Sequence, residues 1–265
     1  METVNAVESI QTSVLVDDVS VYFNRTRSSA RTIKELSIQF LKKKAFVESG
    51  KIKALDGISL DVKRGEVYGV IGRNGSGKST LLRVLSRILP PTRGRIRIWG
   101  KVSPLLGVGA GFNPDLTGRE NAFLYSSILG RKIARTKELF DSIVEFAELK
   151  NFIEEPLRIY SSGMVARLGF AVAMAERPEV LLVDEVLSVG DEKFKDKCND
   201  RFHEFTASGS TIVFVSHNMS VVQEMCERAS WINAGKLMAT GATKDVIAEY
   251  RRFIGPRKSA APQLP

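Results

Sequence analysis

The chain has 265 residues, 43% hydrophobic and 26% charged, a globular composition that excludes wholesale disorder, collagen-like repeats and coiled-coil dominance. Lys and Arg number 39 against 30 Asp and Glu, a net charge of +9, which points to a polyanionic partner: nucleic acid, an anionic membrane surface or a phosphorylated ligand. Two cysteines, Cys198 and Cys226, exclude a disulfide framework, and with only two histidines and no Cys-x-x-Cys a structural zinc site is not expected. No apolar run approaches the ~20 residues that cross a bilayer. The N-terminus lacks the basic and apolar regions of a signal peptide. The chain is therefore expected to be soluble and cytosolic, and able to work against a membrane.

Residues 1–13 read as a loose tail. Val14–Phe23 alternates and is β-rich, which predicts a strand; Arg31–Val47 carries apolar residues among lysines and reads as a short amphipathic helix. Ala54–Val62 reads as a strand, Gly65-Glu66 as a turn, and Val67–Ile71 as a short apolar strand. Ser79–Ile88 is predicted helical and ended by Pro90-Pro91; Gly94–Lys101 reads as strand and turn. Leu116–Lys150 is predicted largely helical, and Met164–Ala175 is an apolar helix closed by Arg177-Pro178. Val180–Val183 and Ile212–Val215 are strands of the buried type, and the Pro-rich end reads as disordered. Strands alternating with helices imply an α/β core with parallel strands.

The charge is uneven. Residues 25–53 hold nine basic and two acidic residues, +7; residues 244–265 hold five and two, +3; the rest of the chain is −1. The excess lies in two segments around a near-neutral body.

Gly72-Arg73-Asn74-Gly75-Ser76-Gly77-Lys78-Ser79 matches G-x-x-x-x-G-K-[ST] between an apolar strand and a helix, the context that the motif requires. Glycines let backbone N–H groups converge on phosphate oxygens, and the following helix directs its positive end at the same anion. The candidate nucleotide-binding residues are Gly72, Asn74, Gly75, Ser76, Gly77, Lys78, Ser79 and Thr80, with Lys78 reaching the β- and γ-phosphates and Ser79 offering its hydroxyl to Mg²⁺. The run Val180–Val183 ends in Asp184 and Glu185, where open α/β sheets bind ligands. Asp184 is the second candidate metal ligand, and Glu185 the general base for the attacking water. Phosphate loop and acid pair together mean nucleotide hydrolysis or a nucleotide-driven switch, with ATP and Mg²⁺ as the expected cofactors.

Tyr160-Ser161-Ser162-Gly163-Met164 directly precedes an apolar helix about twenty residues before the acid pair. Ser161 or Ser162 can cap that helix. The pentapeptide also resembles the signature sequence of ABC ATPases. The resemblance extends to Ser188-Val189-Gly190-Asp191, similar to the loop that crosses the dimer interface, and to Ser216-His217, similar to the switch histidine. It spans roughly Val14 to Arg252. It implies a phosphate-loop α/β fold of the ABC type: a RecA-like core, an antiparallel β subdomain and an α-helical subdomain at about 113–178, with a basic insertion at 25–53 and flexible ends at 1–13 and 253–265. It implies roles for Ser161, Ser162 and Gly163 toward nucleotide on a second subunit, and for His217 toward the γ-phosphate. It places an adenine-stacking aromatic at Phe23, with Tyr22 as competitor. One departure stands out. The family's glutamine after the Gly94–Lys101 region is missing, since no Gln occurs between Gln39 and Gln223. Coupling there must use backbone groups, Asn113 or water.

The segments Gly109–Asn121, Tyr160–Met164 and Val186–Phe194 together resemble the ATPase subunits that export cell-surface polysaccharides such as O-antigen, capsule and teichoic acid. That branch implies a homodimer closed on ATP, a transmembrane permease subunit, a lipid-linked glycan as cargo and a peripheral location at the cytoplasmic side of the bacterial inner membrane. The rival reading is a soluble ABC ATPase acting on nucleic acid or ribosomes. The tandem cassettes, coiled-coil insertions or zinc modules of such proteins are not visible in the sequence, so no nucleic-acid partner is expected.

Overall fold

A computed structural model describes residues 11–24, 51–184 and 191–255. Its strands are β1 (Thr12–Asn24), β2 (Lys51–Lys63), β3 (Val67–Ile71), β4 (Arg93–Ile98), β5 (Val102–Leu105), β6 (Val180–Val183), β7 (Thr211–Val215), β8 (Arg228–Asn233) and β9 (Lys236–Ala242). Its helices are α1 (Lys78–Leu85), α2 (Gly118–Ile128), α3 (Ile133–Ala147), α4 (Ser162–Ala173), α5 (Glu192–Ala207), α6 (Met219–Met225) and α7 (Thr243–Ile254), with a short 3₁₀ turn at Leu157–Ile159. The predicted amphipathic helix at 31–47, most of the basic insertion, Glu185 and the Pro-rich end from 256 lie outside the described residues.

The central sheet has the order β5-β6-β7-β3-β8-β9, parallel from β5 to β8 and antiparallel at β8–β9. Its inner strands read as unbroken apolar runs because both faces are covered. Leu181 and Val183 of β6, with Ile212 and Phe214 of β7, face a core that includes α3, α4 and α5. Val180, Leu182, Val213 and Val215 face a second core, shared with α1 and the antiparallel strands.

The second sheet, β2-β1-β4, is antiparallel. In β1 the buried apolar residues are Val14, Val16, Val19 and Val21. The two pairs can share a face only if one extra residue is absorbed between them. The pairing shifts there, and Asp18 takes a φ of 48°. Gly94 makes room for it: a Cβ at Gly94 would lie 2.3 Å from the Asp18 carbonyl oxygen.

Several bounds differ from the sequence reading. β1 starts at Thr12, inside the expected tail, and the Ser13 carbonyl accepts from Trp99 N at 3.0 Å. α1 stops at Leu85, before the prolines, with Arg87 left-handed at φ 59°. The long helical stretch is two helices, parted at 129–132, where Gly130 takes a φ of 77°. The Arg131 guanidinium fills that corner, donating to the Val172 carbonyl at 3.0 Å and to Ser126 Oγ at 3.1 Å. α4 starts at Ser162, two residues early, because the Ser161 hydroxyl accepts from Met164 N at 3.2 Å. β5 was not foreseen; it is an edge strand, where Pro104 costs no ladder bond.

Asn121 fastens the glycine-rich loop after β5 to α2. It is fully buried; its Oδ1 accepts from Asn113 N at 2.8 Å, and its Nδ2 donates to the carbonyls of Asn113, Leu116 and Thr117 at 2.9–3.0 Å. Asn121→Ala strands these groups without water. Urea denaturation is expected to report a loss of about 3 kcal/mol.

Candidate functional site

The site forms where three neighbouring parallel strands end. In the order β6-β7-β3, β3 runs into the phosphate loop, β7 into Ser216 and His217, and β6 into Asp184. Val70 is level with Val215, and Val183 with Phe214, so the three exits lie side by side. The buried Ser216 donates from its N–H to the Val70 carbonyl at 3.3 Å, while His217 is exposed.

The loop between β3 and α1 is tightly built. Gly77 caps α1 in the left-handed region (φ 114°) and offers the helix no side-chain cap, so the helix's leading N–H groups face the cleft. A Cβ there would lie 2.6 Å from the Ala54 carbonyl oxygen. At Gly72 a Cβ would lie 2.2 Å from the Ile232 carbonyl oxygen. From the β8–β9 turn, Gly235 N donates to the Ser76 carbonyl at 2.8 Å, and the Gly235 carbonyl accepts from Asp56 N at 2.8 Å. Lys78 is 6% exposed; its Nζ donates to the carbonyls of Gly72 at 2.8 Å and Arg73 at 3.2 Å. Its charge is therefore held at the loop rather than on a mobile stem.

A cleft of about 670 Å³ opens over this loop, lined by Asn74, Gly75, Gly77, Lys78, Ser79, Thr80 and Asp184, and on the β2 side by Ile52, Lys53 and Ala54. The structure thus brings together the predicted phosphate-loop residues and Asp184. It adds the start of β2 and the Gly235 turn, which the sequence reading missed. The Asn-Ala-Gly-Lys turn at 233–236 was visible as a hairpin signal, but nothing local ties it to the phosphate loop.

The residues fit a polyphosphate. Among the described residues, Ser76 Oγ is the buried side-chain oxygen or nitrogen without a hydrogen-bond partner, at 3% exposure within the loop. Such an atom calls for a ligand. The donor set around it is cationic and amide-rich. Ser79 and Asp184, a hydroxyl and a carboxylate on one cleft, are hard oxygen ligands suited to Mg²⁺.

Phe23 is 40% exposed and pairs in register with Ile52 of the cleft wall. Tyr22 pairs in register with Lys53 of the same wall; its hydroxyl lies 3.5 Å from Asp56 Oδ1 and its ring 5.6 Å from Lys53 Nζ. Ser161, Ser162 and Gly163 open α4, which packs on α2, α3 and the edge strand β5. That edge lies three strands from β3, so the signature stands apart from the phosphate loop of its own chain. In place of the missing glutamine, Asn113 Oδ1 accepts from Asp115 N at 3.0 Å and so serves its own turn. The cysteines supply no nucleophile: burial pushes both thiols up to about 12.

Fold and cleft define a phosphate-loop nucleotide-binding protein. The ABC transporter family model matches residues 55–188. An O-antigen export system ATP-binding protein of Myxococcus xanthus is 43% identical over 93% of this chain, and the chain spans 57% of that relative's length. A teichoic acids export ATP-binding protein of Staphylococcus saprophyticus is 41% identical over 93% of this chain and 90% of the relative. A dimeric ATP-binding cassette in a post-hydrolysis state with ADP and Pi shares the fold, with a TM-score of 0.68 at 21% identity over 87% of this chain and 98% of that one. The chain belongs to the ABC transporter family, as an ATP-binding cassette.

Lys78→Ala removes the one side-chain cation seated in the loop among the described cleft residues of α1. Titration with a fluorescent ATP analogue is expected to show affinity lower by about 10- to 100-fold, with the circular-dichroism spectrum unchanged.

Proposed function

We propose that this chain is the ATP-hydrolysing subunit of an ABC transporter that exports a lipid-linked cell-surface polysaccharide of the O-antigen, capsule or teichoic-acid type. The observation that supports it most is the cleft, with Lys78, Ser79 and Asp184 around one phosphate loop, in a chain more than 40% identical to O-antigen and teichoic-acid export ATP-binding proteins. The catalytic unit in this reading runs over 14–252, with the helical subdomain at about 113–178.

In the proposed reaction the loop amides and Lys78 hold the β- and γ-phosphates of ATP, and Phe23 stacks on adenine. Ser79 and Asp184 would hold Mg²⁺, which when bound offsets the charge of the phosphates. Glu185 takes a proton from water as the water oxygen attacks the γ-phosphorus; the bond to the β-phosphate oxygen breaks, leaving ADP and phosphate. His217 stands over the γ-phosphate oxygens. Ser161, Ser162 and Gly163 meet the nucleotide of a second copy, which makes the active form a homodimer closed on two ATP molecules. A transmembrane permease subunit receives the stroke at the cytoplasmic face of the bacterial inner membrane. With no glutamine to sense the metal, and Asn113 bound in its own turn, turnover depends strongly on that partner.

Glu185→Gln is expected to lower hydrolysis by at least about 100-fold while ATP binding persists and dimers accumulate in gel filtration. Unchanged turnover removes Glu185 from the role of base. For the basic insertion, replacing Lys42, Lys43 and Lys44 with Gln is expected to weaken flotation with anionic vesicles at low salt, where screening is least. Unchanged flotation rules that segment out as the membrane contact.

A further inference from the structure

Strand β4 is an edge of the antiparallel sheet, paired with β1 on one side only. Its sequence, Arg-Gly-Arg-Ile-Arg-Ile, alternates. Ile96 and Ile98 pack on the core beneath the sheet, while Arg95 and Arg97 stand exposed on the other face and Arg93 is exposed at the strand's start. Arg87, left-handed just after α1, is exposed as well. Among the described residues no carboxylate pairs with these four guanidinium groups; the acid level with Arg95 on β1 is Asp17. A groove of about 590 Å³ is lined by residues 94–98 of β4 and, from α1 and the chain after it, by Val84, Arg87, Leu89, Pro90 and Pro91. Its strand wall is open. Trp99 N donates to the Ser13 carbonyl, and Arg97 and Arg95 are level with Leu15 and Asp17. By the antiparallel alternation, residues 95 and 97 turn their N–H and C=O groups toward β1, and Ile96 and Ile98 turn theirs away from it.

Open backbone groups on a sheet edge accept an added strand, and the charge selects which strand. The β4 of a second copy is excluded, because antiparallel pairing would set arginines beside arginines. Residues 25–53 and 244–265 of the chain itself are cationic too. Among the described residues no aromatic ring lines the groove, so nucleic-acid bases find no stacking surface there. A bilayer surface meets exposed side chains but does not pair with backbone groups inside a groove. We propose that the β4 edge binds an extended acidic segment of a partner protein, added as an antiparallel strand. Its carboxylates lie at every second position, opposite Arg95 and Arg97, and the residues between them exchange backbone hydrogen bonds with Ile96 and Ile98. Opposite residues that do not share hydrogen bonds are the closer pairs in such a ladder, which suits the arginine–carboxylate contacts. The inference does not use the nucleotide cleft and stands apart from the ATPase reading.

The probe is a capped peptide, Glu-Val-Glu-Val-Glu-Val-Glu, titrated at low salt into the isotope-labelled full chain and followed by amide chemical shifts. The largest shifts are expected at Ile96 and Ile98, saturating with a Kd below about 1 mM. Arg95→Gln combined with Arg97→Gln is expected to weaken binding by about fivefold or more, because two cross-strand charge pairs are lost. Both side chains are exposed, so the thermal midpoint is expected to stay within about 3 °C. The peptide N-methylated on its valine amides is expected not to bind, while N-methylation of the glutamate amides leaves affinity within about threefold, since only the valines turn their N–H groups toward β4. A peptide that shifts no amide of β4, one that shifts Gly72–Ser79 instead, or a valine-methylated peptide that binds as tightly as the unmodified one overturns the proposal. So does flotation with phosphatidylglycerol vesicles that the arginine substitutions abolish while the peptide fails to bind; the patch then belongs to a membrane surface.

Discussion

The site depends on how closely backbones approach one another at the phosphate loop. The carbonyl oxygens of Ile232 and Ala54 lie where side chains at positions 72 and 77 would begin, 2.2 Å and 2.6 Å from those Cβ positions. β8 and β2 therefore press on the loop from outside, and Gly235 joins them through the Ser76 carbonyl and Asp56 N. Only glycine lets the chain pass there. The result is a loop whose backbone is fixed by its neighbours before any anion arrives, so little reorganisation is needed on binding.

The rest of the fold keeps that loop in company. The parallel sheet is buried on both faces, and the level exits of β6, β7 and β3 set Asp184, Ser216 and the loop side by side. The antiparallel sheet supplies the other wall through Ile52, Lys53 and Ala54. The helices α2–α4 form a separate layer that presents the signature away from this loop. In the proposed function these are two half-sites on one chain, closed by a second copy. The charge is divided along the chain: residues 25–53 carry +7, residues 244–265 carry +3, and the rest is near neutral.

What the sequence made legible was local. The phosphate loop, the run Val180–Val183 and the cap at Ser161 each declare themselves within a few residues, through glycine spacing, unbroken apolarity and a serine before a helix. What stayed hidden was contact across the chain. Nothing near Gly235 announces a bond to Ser76, and nothing near Arg167 announces Asp191, 24 residues on. The contacts of Tyr22 with Asp56 and Lys53 likewise come from another strand. The helix prediction over 116–150 ran through Gly130 because the pattern on either side is helical, and the break depends on Arg131 reaching the Val172 carbonyl.

A crystal structure of the chain with Mg²⁺ and a non-hydrolysable ATP analogue tests the central claim most directly. The account predicts two copies enclosing two nucleotides, with phosphate oxygens on the amides of Gly75–Ser79, metal between Ser79 and Asp184, and each γ-phosphate facing Ser161–Gly163 of the other copy. A nucleotide bound away from the Gly72–Ser79 loop, or held there by a single copy with its own signature against the γ-phosphate, would contradict it.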